Sequence, residues 1–142
     1  MTPTSGISAH GTLLKIGDGA TPEVFATIAE VGDIDGPTLK SVMEDFTTHG
    51  SAGWVERKPI LSDGDTVKFP VHFVSSNATH DKTTGLVAVR QNKTLKNYQI
   101  VFPDASGFAF AAYVEEIKFK EPVKGKLVAD VTLSLTGAIT AL

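Results

Sequence analysis

The sequence predicts a mainly β chain, an antiparallel β-sandwich or barrel with one short α-helix and one long loop, and three observations predict it. KLVADVTLSLTG, residues 126–137, alternates Leu127, Ala129, Val131, Leu133 and Leu135 against Val128, Asp130, Thr132, Ser134 and Thr136. That is the period-two signature of a strand with one dry face and one wet face. GFAFAAYVEEIKF precedes it across the Pro- and Gly-bearing turn EPVKGK, and two long extended segments joined so simply pair as an antiparallel ribbon. Only one stretch, after Thr79, suits a longer helix.

In chain order, residues 1–10 offer Thr, Pro, Ser and Gly with no core-forming pattern, so they read as a flexible arm that a partner can order. GTLLKIG, residues 11–17, reads as the first strand. EVFATIAEV, residues 23–31, reads as the second, because Val24, Phe25, Thr27, Ile28 and Val31 favour extended backbone. VGDIDGP is polar and turn-rich and reads as the start of an excursion instead of another regular strand. That excursion, residues 38–65, is expected as a loop with small local elements. Within it TLKSVMEDF suits either a short helix or a β pairing. So long a connection is unusual inside a compact domain. Met43, Phe46, Trp54, Ile60 and Leu61 are costly to display to water as one patch, which favours a loop that is packed or bound by a partner. Trp54 in SAGWVERKP suits two roles, an anchor inside the chain or an anchor in an interface.

TVKFPVHFV alternates Val67, Phe69, Val71 and Phe73 against Lys68, Pro70 and His72. Pro70 brings no N–H donor, which places this strand at an edge or a bulge. Thr79 is read as the cap of a helix beginning near His80 and Asp81, with Leu86 and Val89 on its packing face and Arg90, Lys93 and Lys96 toward its C-terminal end. KNYQIVF then gives a strand and PDASG a turn. In GFAFAAYVEEIKF, Phe108, Phe110, Ala112 and Val114 share one parity while Ile117 and Phe119 fall on the other. A bulge near Glu115 and Glu116 lets both halves face one core.

Length and composition bound the function. A chain of 142 residues supports one domain, residues 1–142. It has no cysteine, so no disulfide and no cysteine-ligated metal holds it. A net charge of −3 argues against a sequence-independent DNA clamp, which needs several phosphate-neutralising cations on one surface. No apolar run is long enough for a membrane-spanning helix, and the first residues carry neither a basic leader nor an apolar signal core.

Chemistry finds little footing. His10, His49, His72 and His80 form no HEXXH pattern or close trio, and zinc needs convergent ligands. Glu115 and Glu116 are adjacent and point apart on a regular strand. Ser75, Ser76 and His80 lack the GXSXG elbow of a nucleophile, and no glycine pattern marks a nucleotide site. Asp63 and Asp65 in SDGD match two positions of a calcium loop without its closing glutamate, and read as a solvated turn. His80, Asp81, Lys82, Arg90, Lys93 and Lys96 make the most basic neighbourhood, a solvated helix face or subunit contact without the interleaved aromatics of a nucleic-acid reader. No enzyme activity and no cofactor are expected.

The order of blocks EVFATIAEVGDIDGP, MEDFTTHGSAGWVERKPILSDGDTVKFPVHF, THDKTTGLVAV and GFAFAAYVEEIKFKEPVKGKLVADVTLSLTGAI resembles the tail tube proteins of long-tailed bacteriophages, the lambda-like major tail proteins. The resemblance runs over nearly the whole chain. It implies hexameric rings of this protein stacked into a hollow tail, with strands forming a shared inner barrel and the helix outside it. It also implies partners, namely tail initiator, tape-measure and tail-terminator proteins and double-stranded DNA in transit, with no membrane, in a virion assembled in the host bacterial cytoplasm. Residues 1–10 and the long interface loop 38–65 become the inter-subunit candidates, with Met43, Phe46, Trp54, Ile60 and Leu61 as contacts. An additional C-terminal immunoglobulin-like domain, carried by some relatives, is not expected, and the non-contractile class is slightly favoured. DNA must pass without sticking, so a largely hydroxyl and acidic lumen is expected. Asp130, Thr132, Ser134 and Thr136, with Lys68 and His72 on a matching polar parity, are the lumen candidates. The alternative from another class is a small ligand-binding β-barrel or sandwich with an apolar cavity.

Overall fold

A computed structural model describes residues 4–142, so the first three residues of the expected arm lie outside the described residues. Eight strands and one helix follow in the order β1 (Leu13–Gly17), β2 (Phe25–Thr27), β3 (Lys40–Asp45), β4 (Arg57–Asp63), β5 (Thr66–His72), α1 (Leu86–Asn92), β6 (Lys96–Val101), β7 (Gly107–Lys120) and β8 (Val128–Ala141). Six strands make one antiparallel sheet in the order β2-β1-β6-β7-β8-β5, and β3 pairs with β4 as a separate hairpin. The architecture is the expected mainly β, antiparallel sandwich with one short helix.

The apolar parities of β5, β6, β7 and β8 create the core. Val67, Phe69, Val71, Ile100, Val131 and Leu133 are buried to within 2% of complete. Each such side chain contributes about 1.5–3 kcal/mol relative to exposure. Tyr98 joins them, stacked on Phe110 with ring centroids 6.0 Å apart, and burial pushes its phenol pKa up. On β8 the burial alternates as the sequence predicts, except that Leu127 falls just before the strand and is 42% exposed. The expected bulge is present: Val114 pairs with Leu133 and Glu116 with Thr132, leaving Glu115 as the extra residue. Ile117 and Phe119 thereby pair with Val131 and Ala129 on the core side. A second irregularity sets Ala109 opposite Thr140 and Ala111 opposite Thr136. The loop it leaves on β8 turns at Gly137, whose φ of +81° suits glycine.

Residues 25–35 close the sheet into a ring, a role that the sequence reading assigned half to a strand and half to a loop. β2 pairs with β1, and the Ile28 N–H donates to the Leu14 carbonyl. Beyond Ala29 the chain changes partner. The Glu30 carbonyl accepts from His72 N–H, Gly32 N–H donates to Pro70, and Asp35 exchanges both backbone bonds with Lys68. VGDIDGP is therefore an irregular lath against β5, the last strand of the sheet, where a proline does least harm.

The helix departs from expectation at its start. It begins at Leu86, not near His80, and Thr79 is not its cap. Asp81 explains the delay: its carboxylate accepts the N–H groups of Thr83, Thr84 and Gly85, which satisfies turn backbone and competes with helix. Thr79 and His80 instead clasp the closing segment. The Ala29 N–H donates to Thr79 Oγ1 at 3.1 Å, and the Ala29 carbonyl lies 2.6 Å from His80 Nε2. Val74 N–H donates to His80 Nδ1 at 3.1 Å, so that nitrogen is the acceptor and Nε2 carries the proton. His80 is fully buried and stacked on Phe73, which removes it from the solvated basic face to which the sequence assigned it.

Candidate functional site

Strand register gathers the six lumen candidates onto one outward face. Lys68 pairs with Thr132, Pro70 with Asp130, and His72 with Val128. Directly paired residues share a face, so Lys68, His72, Asp130, Thr132, Ser134 and Thr136 point the same way across β5 and β8. The same register adds residues of β7: Tyr113 beside Ser134, Glu116 beside Thr132, Lys118 beside Asp130 and Lys120 beside Val128. These were missed from sequence although the signal was there, because the bulge at Glu115 shifts the wet parity of β7 to Glu116, Lys118 and Lys120.

The face is charged in both signs, where a largely hydroxyl and acidic surface was expected. Lys120 Nζ stands 2.9 Å from Asp130 Oδ2, and His72 Nδ1 stands 3.7 Å from Glu30 Oε2. Both pairs are solvent-accessible, so each is worth at most about 1 kcal/mol. In the Lys120–Asp130 pair the opposite charges also cancel part of each other's field.

The other side of this sheet is dry. α1 buries Leu86, Ala88 and Val89 and packs on β7. Val71, Phe73, His80, Leu86, Ile117 and Val131 fill the space between helix and strands. A small-ligand carrier needs an interior cavity there, and this interior is occupied by side chains. Among the described residues no three His, Asp or Glu side chains converge as metal ligands.

The second surface is the long connection, which folds as a β-hairpin. Of its two open readings, TLKSVMEDF takes the β pairing: β3 and β4 align Lys40 with Asp63, Glu44 with Lys58 and Asp45 with Arg57. Opposite charges in register favour this pairing over its slips. The Asp45 carboxylate takes bonds from the side chain and then the N–H of Thr47, which hold its pKa below the ordinary value. Thr47 Oγ1 also accepts from Glu56 N–H, and Lys58 Nζ lies 5.3 Å over the Phe46 ring.

Every residue of β3 and β4 is exposed. A two-stranded sheet is marginal in water by itself, yet this one displays Val42, Met43, Phe46, Ile60 and Leu61, with Leu39 at its base. Trp54, 80% exposed, is not an anchor within its own chain. The five predicted contact residues therefore lie exposed along an arm that the body of the chain does not cover, spread over both faces and the tip, and Leu39, Val42 and Val55 extend the set.

No protein-family model and no curated protein sequence matches the chain. Solved structures do. A chain from the tail of an empty gene transfer agent particle with C6 symmetry superposes with a TM-score of 0.77 at 17% identity, over 95% of this chain and 98% of its own. A chain of the sheath-tube complex of an extracellular contractile injection system, PVC, gives 0.70 at 11% identity over 97% and 92%. The SPP1 tail tube gives 0.69 at 15% identity over 96% and 78%. At these identities the likeness establishes the fold, which is that of phage tail tubes and contractile injection systems and does not single out the lambda-like tubes among them.

Proposed function

We propose that this chain is the structural subunit of a phage or phage-like tail tube. Copies join into hexameric rings, the rings stack, and the hollow tube conducts double-stranded DNA from capsid to host. The observation that carries this reading is the likeness to tail and tube chains over at least 95% of the sequence. Six copies per ring draws support from the C6 symmetry of the gene transfer agent tail.

The two surfaces fit that work without any bond-making step. In this reading the β5–β8–β7 face lines the channel, with Lys68, His72, Asp130, Thr132, Ser134 and Thr136 joined by Glu116, Lys118 and Lys120. DNA adheres in proportion to the phosphates it can neutralise. Lys120 is already matched to Asp130, and the hydroxyls of Thr132, Ser134 and Thr136 neutralise no phosphate, so the wall is wet and weakly attractive. α1, on the opposite side of the sheet, faces outward. The hairpin supplies the inter-subunit contact: Met43, Phe46, Trp54, Ile60 and Leu61 lose their exposure when a neighbour arrives, which couples burial to assembly. The arm before Gly11, tail initiator, tape-measure and terminator proteins complete the proposed assembly in the virion.

Electron microscopy of the purified chain across protein and salt concentration tests this. Rings or hollow tubes are expected. Single copies under every condition, with and without a tail initiator, would falsify it.

A further inference from the structure

Two loops sit at opposite ends of one strand pair. Thr66 pairs with Ser134 and His72 with Val128. Residues 62–65 therefore lie at one end of β5 and the β7–β8 turn, residues 121–127, at the other. Seven residues of strand separate them, about 20 Å.

The ends differ in shape and sign. Residues 121–127 read EPVKGKL, two lysines against one glutamate, and Lys120 just before them is paired with Asp130. At the head of that turn Val123 is fully exposed, an apolar knob with Lys124 and Lys126 following it in the chain. The opposite end carries Asp63 and Asp65 in the turn and Asp35, whose backbone pairs with that of Lys68, with Lys40 across from Asp63. It also holds a recess of about 560 Å³ between the hairpin base and the outer part of β8, walled by Leu39, Lys40, Asp63, Gly137, Ala138 and Ile139. Gly64 makes the close approach behind it possible, since a Cβ there would stand 2.8 Å from Leu135 and 2.9 Å from Ile139. The recess is apolar at Leu39 and Ile139; Asp63 there and Asp65 in the adjoining turn outnumber Lys40, which leaves this end the more acidic and a fit for a valine next to lysines.

We infer that these are the two halves of one head-to-tail contact between copies of this chain: the β7–β8 turn of one copy seats Val123 in the recess of the next, with Lys124 and Lys126 facing Asp63 and Asp65. The inference rests on the tube reading and deepens it by naming the partner surfaces of successive rings. A contact between different patches at opposite ends of the molecule propagates along the axis where its geometry does not close into a ring, which is what stacking requires. Opposite charge at the two ends orients the approach and disfavours the inverted docking of knob on knob.

The test uses two charge-reversed chains, one with Lys124→Glu and Lys126→Glu, the other with Asp63→Lys and Asp65→Lys. Each alone is expected to need about tenfold more protein than the parent to form tubes. A one-to-one mixture is expected to assemble near the parent concentration, because each chain then meets an oppositely charged partner. Reversed chains that assemble alone like the parent, or a mixture no better than its components, overturn the contact while parental tubes leave the tube reading standing. A parent that never assembles overturns both.

Asp63 Oδ1 also accepts the Asp65 N–H at 2.8 Å, so the lysine variant is checked by circular dichroism. If it unfolds, Asp63→Asn with Asp65→Asn keeps that acceptor and removes the charge. Its tubes are then expected to lose much of the parental salt dependence, and an unchanged salt dependence overturns the contact.

Discussion

At Ala29 the chain leaves β1 for β5, and two side chains from one loop hold both its polar groups. His80→Ala removes the acceptor of Val74 N–H and the donor to Ala29 in a fully buried place. Leaving both unpaired is expected to cost about 2–4 kcal/mol in urea unfolding. Trp54 makes the opposite case. Trp54→Ala is expected to leave unfolding within about 0.5 kcal/mol of the parent, as for other exposed sites, while shifting tube growth to higher protein concentration. Light scattering beside a melting curve separates the two effects, and a large drop in stability would return Trp54 to the fold. Four aspartates set the response to acid. Asp81 is held below its ordinary pKa by N–H groups of Thr84, Gly85 and Thr83, Asp18 by those of Ala20 and Val24, and Asp45 and Asp104 by the hydroxyl and N–H of Thr47 and Ser106. A pKa lower in the folded chain means stability present above the unfolded value and lost as pH falls through the folded one. The fold is therefore expected to hold from neutrality to about pH 4 and weaken below it, followed by circular dichroism.

Among the elements, β8 shows why some of the fold was legible. Its alternation needs no partner to be seen, and the parity break in β7 announces the bulge at Glu115. Deleting Glu115 should turn Ile117 and Phe119 toward the polar face. A loss of about 2–4 kcal/mol is expected from the apolar area exposed, measured by urea titration, whereas a parental midpoint would mean that the bulge does not set the register. Three elements were less legible for physical reasons. The lath at residues 30–35 is extended only because β5 offers it partners, so VGDIDGP carries turn chemistry and no strand pattern. The helix start is decided by Asp81, whose carboxylate caps turns as readily as helices. The hairpin has no dry face toward its own chain, so burial leaves no parity in β3 and β4. Of the site, the wet face of β8 was readable from alternation. The charge balance on it depends on pairings with β5, β7 and the lath, which a single strand does not reveal.

Taken whole, the molecule keeps its core on one side of the β5–β8–β7 sheet and a polar face of mixed charge on the other, while its apolar arm lies outside the body. A monomer so built carries unburied area that only copies or partners can cover, and its strand ends differ in charge. In the proposed tube the polar face surrounds the path of the DNA. Cryo-electron microscopy of the assembled tube tests it most directly. The predicted result is a six-fold channel whose wall presents Lys68, His72, Asp130 and Thr132, with α1 on the outer side; a channel lined by α1, with the β5–β8–β7 face turned outward, would contradict it.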